Sequence, residues 1–345
     1  SRSASITPAP PTLRAWRGKR VLVTGCTGFK GAWLSWWLTR LGAEVVGLSL
    51  EPPTTPSLWE LADLGEVVDL HKVDVRDADA TAALIAEAAP DAVFHLAAQS
   101  LVRESYDLPL DTLATNAMGT AHVLEGVRKT GLPCAVVIVT TDKVYTPSTD
   151  AVGEDAPLGG HDPYSASKAC AELITESWRR SFFRTEDLDE HGVAVASVRA
   201  GNVIGPGDYT PSRLVPHLVD SIHAGGSPAL RNPDGVRPWQ HVLDPLAGYL
   251  LLGERLLDGR PHRSAWCTAW NFGPWEEDTR PVSDVLAQVQ HALGAGGPAS
   301  CADPDHRHEQ PVLRLAIDRA VSALGWRPSM AFDAAVTATA IGHVA

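Results

Sequence analysis

Residues 20–43 read RVLVTGCTGFKGAWLSWWLTRLGA, and the succession of textures in that stretch decides the fold. The apolar run at 20–24 stops at glycines, which predicts a short buried strand. Gly25, Gly28 and Gly31 then give the spacing G-x-x-G-x-x-G. From Phe29 onward apolar and small residues recur at helical spacing until Gly42 ends the run. Residues without a β-carbon let a backbone turn tightly and approach a pyrophosphate, and the helix start offers unpaired N–H groups to its charge. Glycines also serve plain turns and close helix packing. The strand–loop–helix setting favours a dinucleotide, with Gly25, Gly28, Phe29, Lys30 and Gly31 around it.

Outward from that unit the same alternation continues. Strands are expected at 44–49, 67–75, 92–98, 135–141 and 193–200, and helices at 78–88, 110–130 and 164–183. Continuously apolar strands separated by helices predict a Rossmann-type α/β fold: a parallel sheet with helices on both faces. After Gly201 proline, glycine, tryptophan and arginine become frequent, and the rhythm loosens through 205–245. Helices are expected near 242–258 and at 281–293, the latter opened by Pro281, followed by a helix, a turn at Gly325–Pro328 and a terminal helix. The expected division is a flexible segment at 1–18, a cofactor domain at 19–200, and a smaller substrate-binding portion at 201–345. Some elements of that last portion are expected to pack back on the first domain.

The chain has 345 residues, 44% of them hydrophobic and 20% charged, with a formal charge of −12. That charge disfavours nucleic acid and anionic membrane surfaces, although a local cleft can still be positive. No apolar window is long enough for a membrane span. The opening SRSASITPAPPTL lacks the layout of a secretory signal. The five cysteines (Cys26, Cys134, Cys170, Cys267 and Cys301) are scattered and odd in number. They point away from a disulfide framework or a metal site and toward a cytoplasmic enzyme.

Asp74, followed by Val75 in V-D-V-R-D, ends the third strand, where a carboxylate can receive an adenine amino group; a surface helix cap is the plain alternative. The second strand ends near Glu51 with no arginine for a ribose phosphate, so NAD is expected rather than NADP. In the loop after the fourth strand, the small side chains of Ala97 and Ala98 can lie against the dinucleotide beside Leu96, and Gln99 can hydrogen-bond it. Tyr164 and Lys168 stand four residues apart on one helix face. An ammonium beside a phenol stabilises phenolate, which suits Tyr164 as a base for an alcohol losing hydride. Thr141 can supply a further hydrogen bond to the substrate oxygen.

TGCTGFKG at 24–31, FHLAAQSLVRESY at 94–106, Asn116 and Tyr164-x-x-x-Lys168 resemble the extended short-chain dehydrogenase/reductase family. With GLSLEPPT at 47–54, TTDKVY at 140–145, GGHDPYSASKACAEL at 159–173, RAGNVIGPGD at 199–208 and RNPDGVRPWQHVLDPLAGYLLLGERL at 231–256, the chain is similar to the CDP-glucose 4,6-dehydratase subgroup over about 19–333. The resemblance implies oxidation at C4 of a nucleotide-activated glucose by NAD, elimination of water across C5 and C6, and return of hydride to C6. It implies that Asp142 protonates the departing C6 hydroxyl and that Lys143 takes the C5 proton. Lysine's ordinary pKa is too high for that work, so its surroundings must lower it, and Asp142 must keep or acquire a proton. The resemblance further implies NAD that is tightly bound and regenerated each turnover, a structural role for Asn116, and a homodimer.

Arg213, Arg231 and Arg237 are candidate phosphate contacts, with Asn202 beside the sugar phosphates; any single arginine also suits a solvated surface. Trp239 suits the core as well as a substrate platform, and His241 has no companions for a metal. The chain departs from the family pattern at Val144 (commonly cysteine), at His161 (commonly tyrosine), in the 146–160 loop and in DPDHRHEQPVLRLAIDRA. Such departures bear on which sugar or nucleotide is accepted. Two competing readings remain: a 4-epimerase or reductase, which needs Tyr164 and Lys168 but not Asp142 and Lys143, and a non-catalytic NAD-binding protein, in which both pairs would be eroded.

Overall fold

The computed structural model describes residues 13–258, 262–297, 300–301 and 310–344. Its frame is one seven-stranded, all-parallel sheet. The strands are β1 (Arg20–Thr24), β2 (Glu44–Ser49), β3 (Val68–Lys72), β4 (Ala92–His95), β5 (Cys134–Val139), β6 (Val193–Ala200) and, from the far half of the chain, Ala269–Phe272. Between β6 and that last strand come β7 (Asn202–Ile204), β8 (Ala229–Leu230) and β9 (Val236–His241), so Ala269–Phe272 is β10; Thr279–Pro281 is β11. The order across the sheet is β10-β6-β5-β4-β1-β2-β3. Strand order reverses between β1 and β4, which opens the crevice where such sheets take their ligands.

One apolar layer joins the Phe29–Arg40 and Leu243–Asp258 helices to the sheet; the other packs Ala78–Ala88 and Gly119–Thr130 on the opposite face. β7, β9 and β11 form a separate three-stranded sheet, and a third cluster packs it against the Leu214–His223, Val282–Ala292 and Phe332–Val344 helices.

The expected helix over 110–130 is broken into Pro109–Leu113, a π-turn at Ala114–Met118 and Gly119–Thr130. The expected strands at 67–75, 92–98 and 135–141 end earlier, at Lys72, His95 and Val139. Neither β10 nor the Leu214–His223 helix was expected. Residues 1–12 of the expected flexible segment lie outside the described residues, as do 302–309 and the side chain of Cys301. Residues 13–18 are not a loose lead-in. Trp16 is fully buried against Phe94, and the amides of Leu13 and Ala15 reach Glu254, because the ring fills the space left by Gly253.

Candidate active site

β1 delivers the glycine loop into the crevice. Gly25 sits at φ 70°, and a β-carbon there would stand 2.7 Å from the Ala97 amide. At Gly31 it would stand 2.0 Å from the Gly25 carbonyl, so the helix start is pressed onto the loop. Gly28 caps the helix with no side-chain hydrogen bond, which leaves first-turn amides open to an anion. The cradle fits a dinucleotide pyrophosphate. Thr24 fixes its other wall: its Oγ1 takes the amides of Leu96 and Ala97 at 3.1 Å and pairs with His95 Nδ1 at 2.7 Å. His95 Nε2 meets Thr120 at 3.2 Å, and burial pulls the imidazole down to about 3, so it stays neutral. This prop was not anticipated, although His95 stands in the quoted motif.

Several cofactor-side residues are occupied differently from expectation. Gln99 does not extend its side chain toward a dinucleotide; the amide folds back onto Leu101 and Thr112, satisfying the local loop. Asn116 grips the Gln99 backbone from both sides at 2.9 Å and donates to Ser167 at 2.8 Å, which is why the helix opens into a π-turn there. Asp74 is clamped by Arg76, whose guanidinium hydrogen bonds hold the carboxyl below its usual range, and Arg76 also reaches Asp111. Val75 is buried and presents its carbonyl to His122. Glu51 pairs with Lys72. Lys30 turns away from the loop: its Nζ donates to the Tyr249 hydroxyl at 3.0 Å and lies 5.0 Å from that ring's centre.

The reactive groups converge at the end of β5. Thr141 Oγ1 donates to Asp142 Oδ1 at 3.0 Å and accepts from the Lys143 amide at 3.4 Å. Asp142 is buried, its Oδ1 lies 3.5 Å from Lys143 Nζ, and its Oδ2 has no donor among the described residues. Asp162 caps the Pro163–Ser181 helix through the Ser165 amide at 2.9 Å, and this sets Tyr164 in its first turn. Burial pushes the Tyr164 phenol up to about 12, against the pull of the Thr141 hydroxyl beside it. Lys168 donates to the Val139 carbonyl at 3.1 Å, and burial lowers it to about 8 while Glu172 opposes that.

Behind this cluster lies a buried polar frame that sequence reasoning missed. Arg199 binds Glu172 at 2.7 Å and the Tyr145 hydroxyl at 2.8 Å, and Tyr145 donates to Asn271 at 2.6 Å. Thr140 and Ser197 donate to the same glutamate. Burial alone would raise Glu172, but Arg199 and the two hydroxyls outweigh it and hold it low. The only signal in the sequence was an acidic residue one turn beyond Lys168.

On the substrate side, Arg213 enters the crevice. It donates to Ser100 at 3.2 Å, lies 3.4 Å from Asp208, and its charge is felt by both Tyr164 and Lys30. Arg237 is buried, with Nη1 on the carbonyls of Val236 and Pro311, so it braces β9. Arg231 is exposed just past β8. Asn202 opens β7, and its buried Oδ1 finds no donor among the described residues. Trp239 belongs to the core, its Nε1 on the Arg280 carbonyl, and His241 accepts from the Leu243 amide. Val144 is fully buried and His161 is exposed. Among the described residues no cluster of three or more metal-ligating side chains occurs, and no helix is long and apolar enough to cross a membrane.

Residues 22–339 match the family described as GDP-mannose 4,6 dehydratase. The chain is 45% identical over 315 residues to a CDP-glucose 4,6-dehydratase of Salmonella typhimurium, covering 91% of this chain and 87% of that protein. It is 30% identical over 329 residues to a UDP-glucose 4-epimerase of Mycolicibacterium smegmatis, covering 93% and 97%. Among solved structures, the dTDP-glucose 4,6-dehydratase DesIV of Streptomyces venezuelae, with NAD and TYD bound, superposes with a TM-score of 0.80 at 26% identity, covering 94% and 96%.

Proposed function

The chain belongs to the GDP-mannose 4,6 dehydratase family, and we propose that within it this enzyme converts CDP-glucose to CDP-4-keto-6-deoxyglucose. The observation that carries this reading is the juxtaposition of the buried Asp142 carboxyl and the Lys143 amine, 3.5 Å apart, at the end of β5 beside Thr141. Epimerisation at C4 needs the tyrosine but has no use for a buried acid and an adjoining amine. NAD, when bound, supplies a hydride acceptor that is reversible within one turnover. Gly25, Gly28, Phe29, Gly31 and the Leu96–Ala98 wall hold it, and Lys168 orients its ribose. Tyr164 receives the C4 hydroxyl proton, Asp142 protonates the C6 hydroxyl, and Lys143 takes and returns the C5 proton. Arg213 is the first candidate for the sugar diphosphate, with Asn202 beside it.

The division at 19–200 and 201–345 assigns cofactor and sugar nucleotide to different portions, with β10 reaching back into the sheet. Tight retention of NAD through each cycle follows from a hydride that must return to the same sugar. A cytoplasmic location suits free cysteines at Cys26, Cys134, Cys170 and Cys267. Leu110 (79% exposed), Leu113, Met118 and Leu173 lie exposed on the two adjacent helical elements at 109–130 and 163–181, which supports a homodimer through that face. Incubation with a panel of nucleotide-activated glucoses, read by product mass and by the alkaline absorbance of a keto-sugar, tests the function. Loss of one water from the CDP sugar is expected; an isomer of unchanged mass overturns dehydration in favour of epimerisation.

A further inference from the structure

The Pro163–Ser181 helix presents Tyr164 in its first turn, where backbone N–H groups have no partner within the helix. Pro163 has no N–H to satisfy. Ser165 donates to the Asp162 carboxyl at 2.9 Å, and the regular helical bonds begin with Ala166, which donates to the Asp162 carbonyl at 2.9 Å. Of these first-turn amides only that of Tyr164 reaches another element. It donates to the Ser105 hydroxyl at 3.1 Å, and that hydroxyl donates in turn to the Val102 carbonyl at 2.6 Å. With its one proton spent on Val102, the Ser105 oxygen meets the tyrosine amide as an acceptor. Ser105 is fully buried, so bulk water does not compete for the bond. It belongs to the short Val102–Asp107 helix, which follows closely on the Leu96–Ala98 wall of the cofactor cradle. The Tyr164 carbonyl is tied to the same stretch: it accepts from Ser167 at 2.7 Å, and Ser167 accepts from Asn116, which grips the Gln99 backbone. Asp142 and Lys143 stand on a different element, the turn that follows β5.

We propose that Ser105 is a positioning residue for the oxidation step: it holds the backbone of Tyr164 to the segment that walls the cofactor, so that the phenol meets the C4 hydroxyl while C4 faces the nicotinamide. The proposal rests on the dehydration reading. Ser105 takes no proton from the sugar and touches no reacting atom. Its part is the spacing between base and hydride acceptor. Oxidation depends on that spacing, because a proton and a hydride leave the same C–O–H unit for two different groups. Elimination does not, because its acid and base are carried by the turn after β5. Removal of the Ser105 oxygen leaves the Tyr164 amide buried without an acceptor, and the first turn of the helix is then free to shift along the crevice.

The two half-reactions are read apart in the Ser105→Ala enzyme. The 6-deoxy analogue of CDP-glucose has a C4 hydroxyl and no leaving group, so with it NADH appears by oxidation alone. CDP-4-keto-6-deoxyglucose, supplied ready-made in heavy water, exchanges its C5 proton through Lys143 with no oxidation needed. Ser105→Ala should slow NADH formation roughly tenfold at an unchanged half-saturating concentration of the analogue, while exchange at C5 keeps its wild-type rate. Ser105→Cys, close in shape but a poorer acceptor, should show the same split to a smaller degree. Equal slowing of both half-reactions, the result of a general loosening of the fold, overturns the proposal, and so does wild-type NADH formation in the alanine variant. Failure of the wild-type enzyme to form NADH with the analogue and to dehydrate CDP-glucose removes the functional reading and the proposal with it; an unaffected variant of an enzyme that does dehydrate removes the proposal alone.

Discussion

Replacing Lys30 by methionine should change the sign of its effect on stability between acid and alkaline solution. Lys30 is half-buried, and that desolvation, helped by the charges of Lys168 and Arg213, pulls its pKa from 10.5 to about 7, while Asp142 pulls the other way. Below about pH 7 the folded protein holds a charged lysine at full cost. Between about pH 7 and 10.5 the unfolded chain binds a proton that the folded state has released, so stability rises with pH. At about 1.4 kcal/mol per pH unit, the cost is about 5 kcal/mol at pH 6 and only about 1.4 kcal/mol near pH 9.5. Methionine removes that cost but leaves the buried Tyr249 hydroxyl without its partner, a penalty of about 1–3 kcal/mol. Lys30→Met should therefore stabilise by roughly 2–4 kcal/mol near pH 6 and be neutral or slightly destabilising near pH 9.5. Urea unfolding followed by circular dichroism at the two pH values measures this. A difference between variant and wild type that stays flat with pH, or grows toward the alkaline side, refutes the reasoning.

Gly31→Ala places a β-carbon against the Gly25 carbonyl, so the loop must open. A stability cost of about 1–3 kcal/mol is expected, with NAD affinity down roughly ten- to a hundredfold by calorimetric titration; unchanged affinity removes the loop as the pyrophosphate cradle. Glu172→Ala strands a buried guanidinium and should cost about 3–5 kcal/mol in chemical denaturation, whereas a loss under about 1 kcal/mol would show that Arg199 has other support. Lys143→Ala should bind NAD and CDP-glucose but fail to wash the C5 proton into heavy water, a mass-spectrometric measurement in which normal exchange rules out Lys143 as the base.

The glycine loop was legible because three signals coincide there: an apolar run, fixed glycine spacing and helical periodicity after it. Tyr164 and Lys168 were legible as a shared face for the same local reason. The Lys168 contact with the Val139 carbonyl was not, because a backbone acceptor on another element leaves no mark in the sequence. β10 was missed since AWNF carries a polar residue inside a four-residue run; Asn271 is buried to hold Tyr145 and the carbonyls of Val152 and Ala316. The Leu214–His223 helix was hidden by Pro216, which reads as a breaker yet lies in the first turn, where its missing N–H has no helical partner to lose. Arg237 and Gln99 show their donors in sequence, but the carbonyls those donors meet in the folded chain are not visible there.

The edge position of β10 bears on how the molecule is made. β6 is buried along its whole length, yet the neighbour that covers its outer edge is translated about seventy residues later. During synthesis the nascent sheet must wait with that apolar margin open, a ready surface for pairing with another chain. A fragment ending at residue 200 would carry every glycine of the loop and still lack its edge strand, so chaperone dependence and truncation-induced aggregation should track the arrival of the four residues of β10.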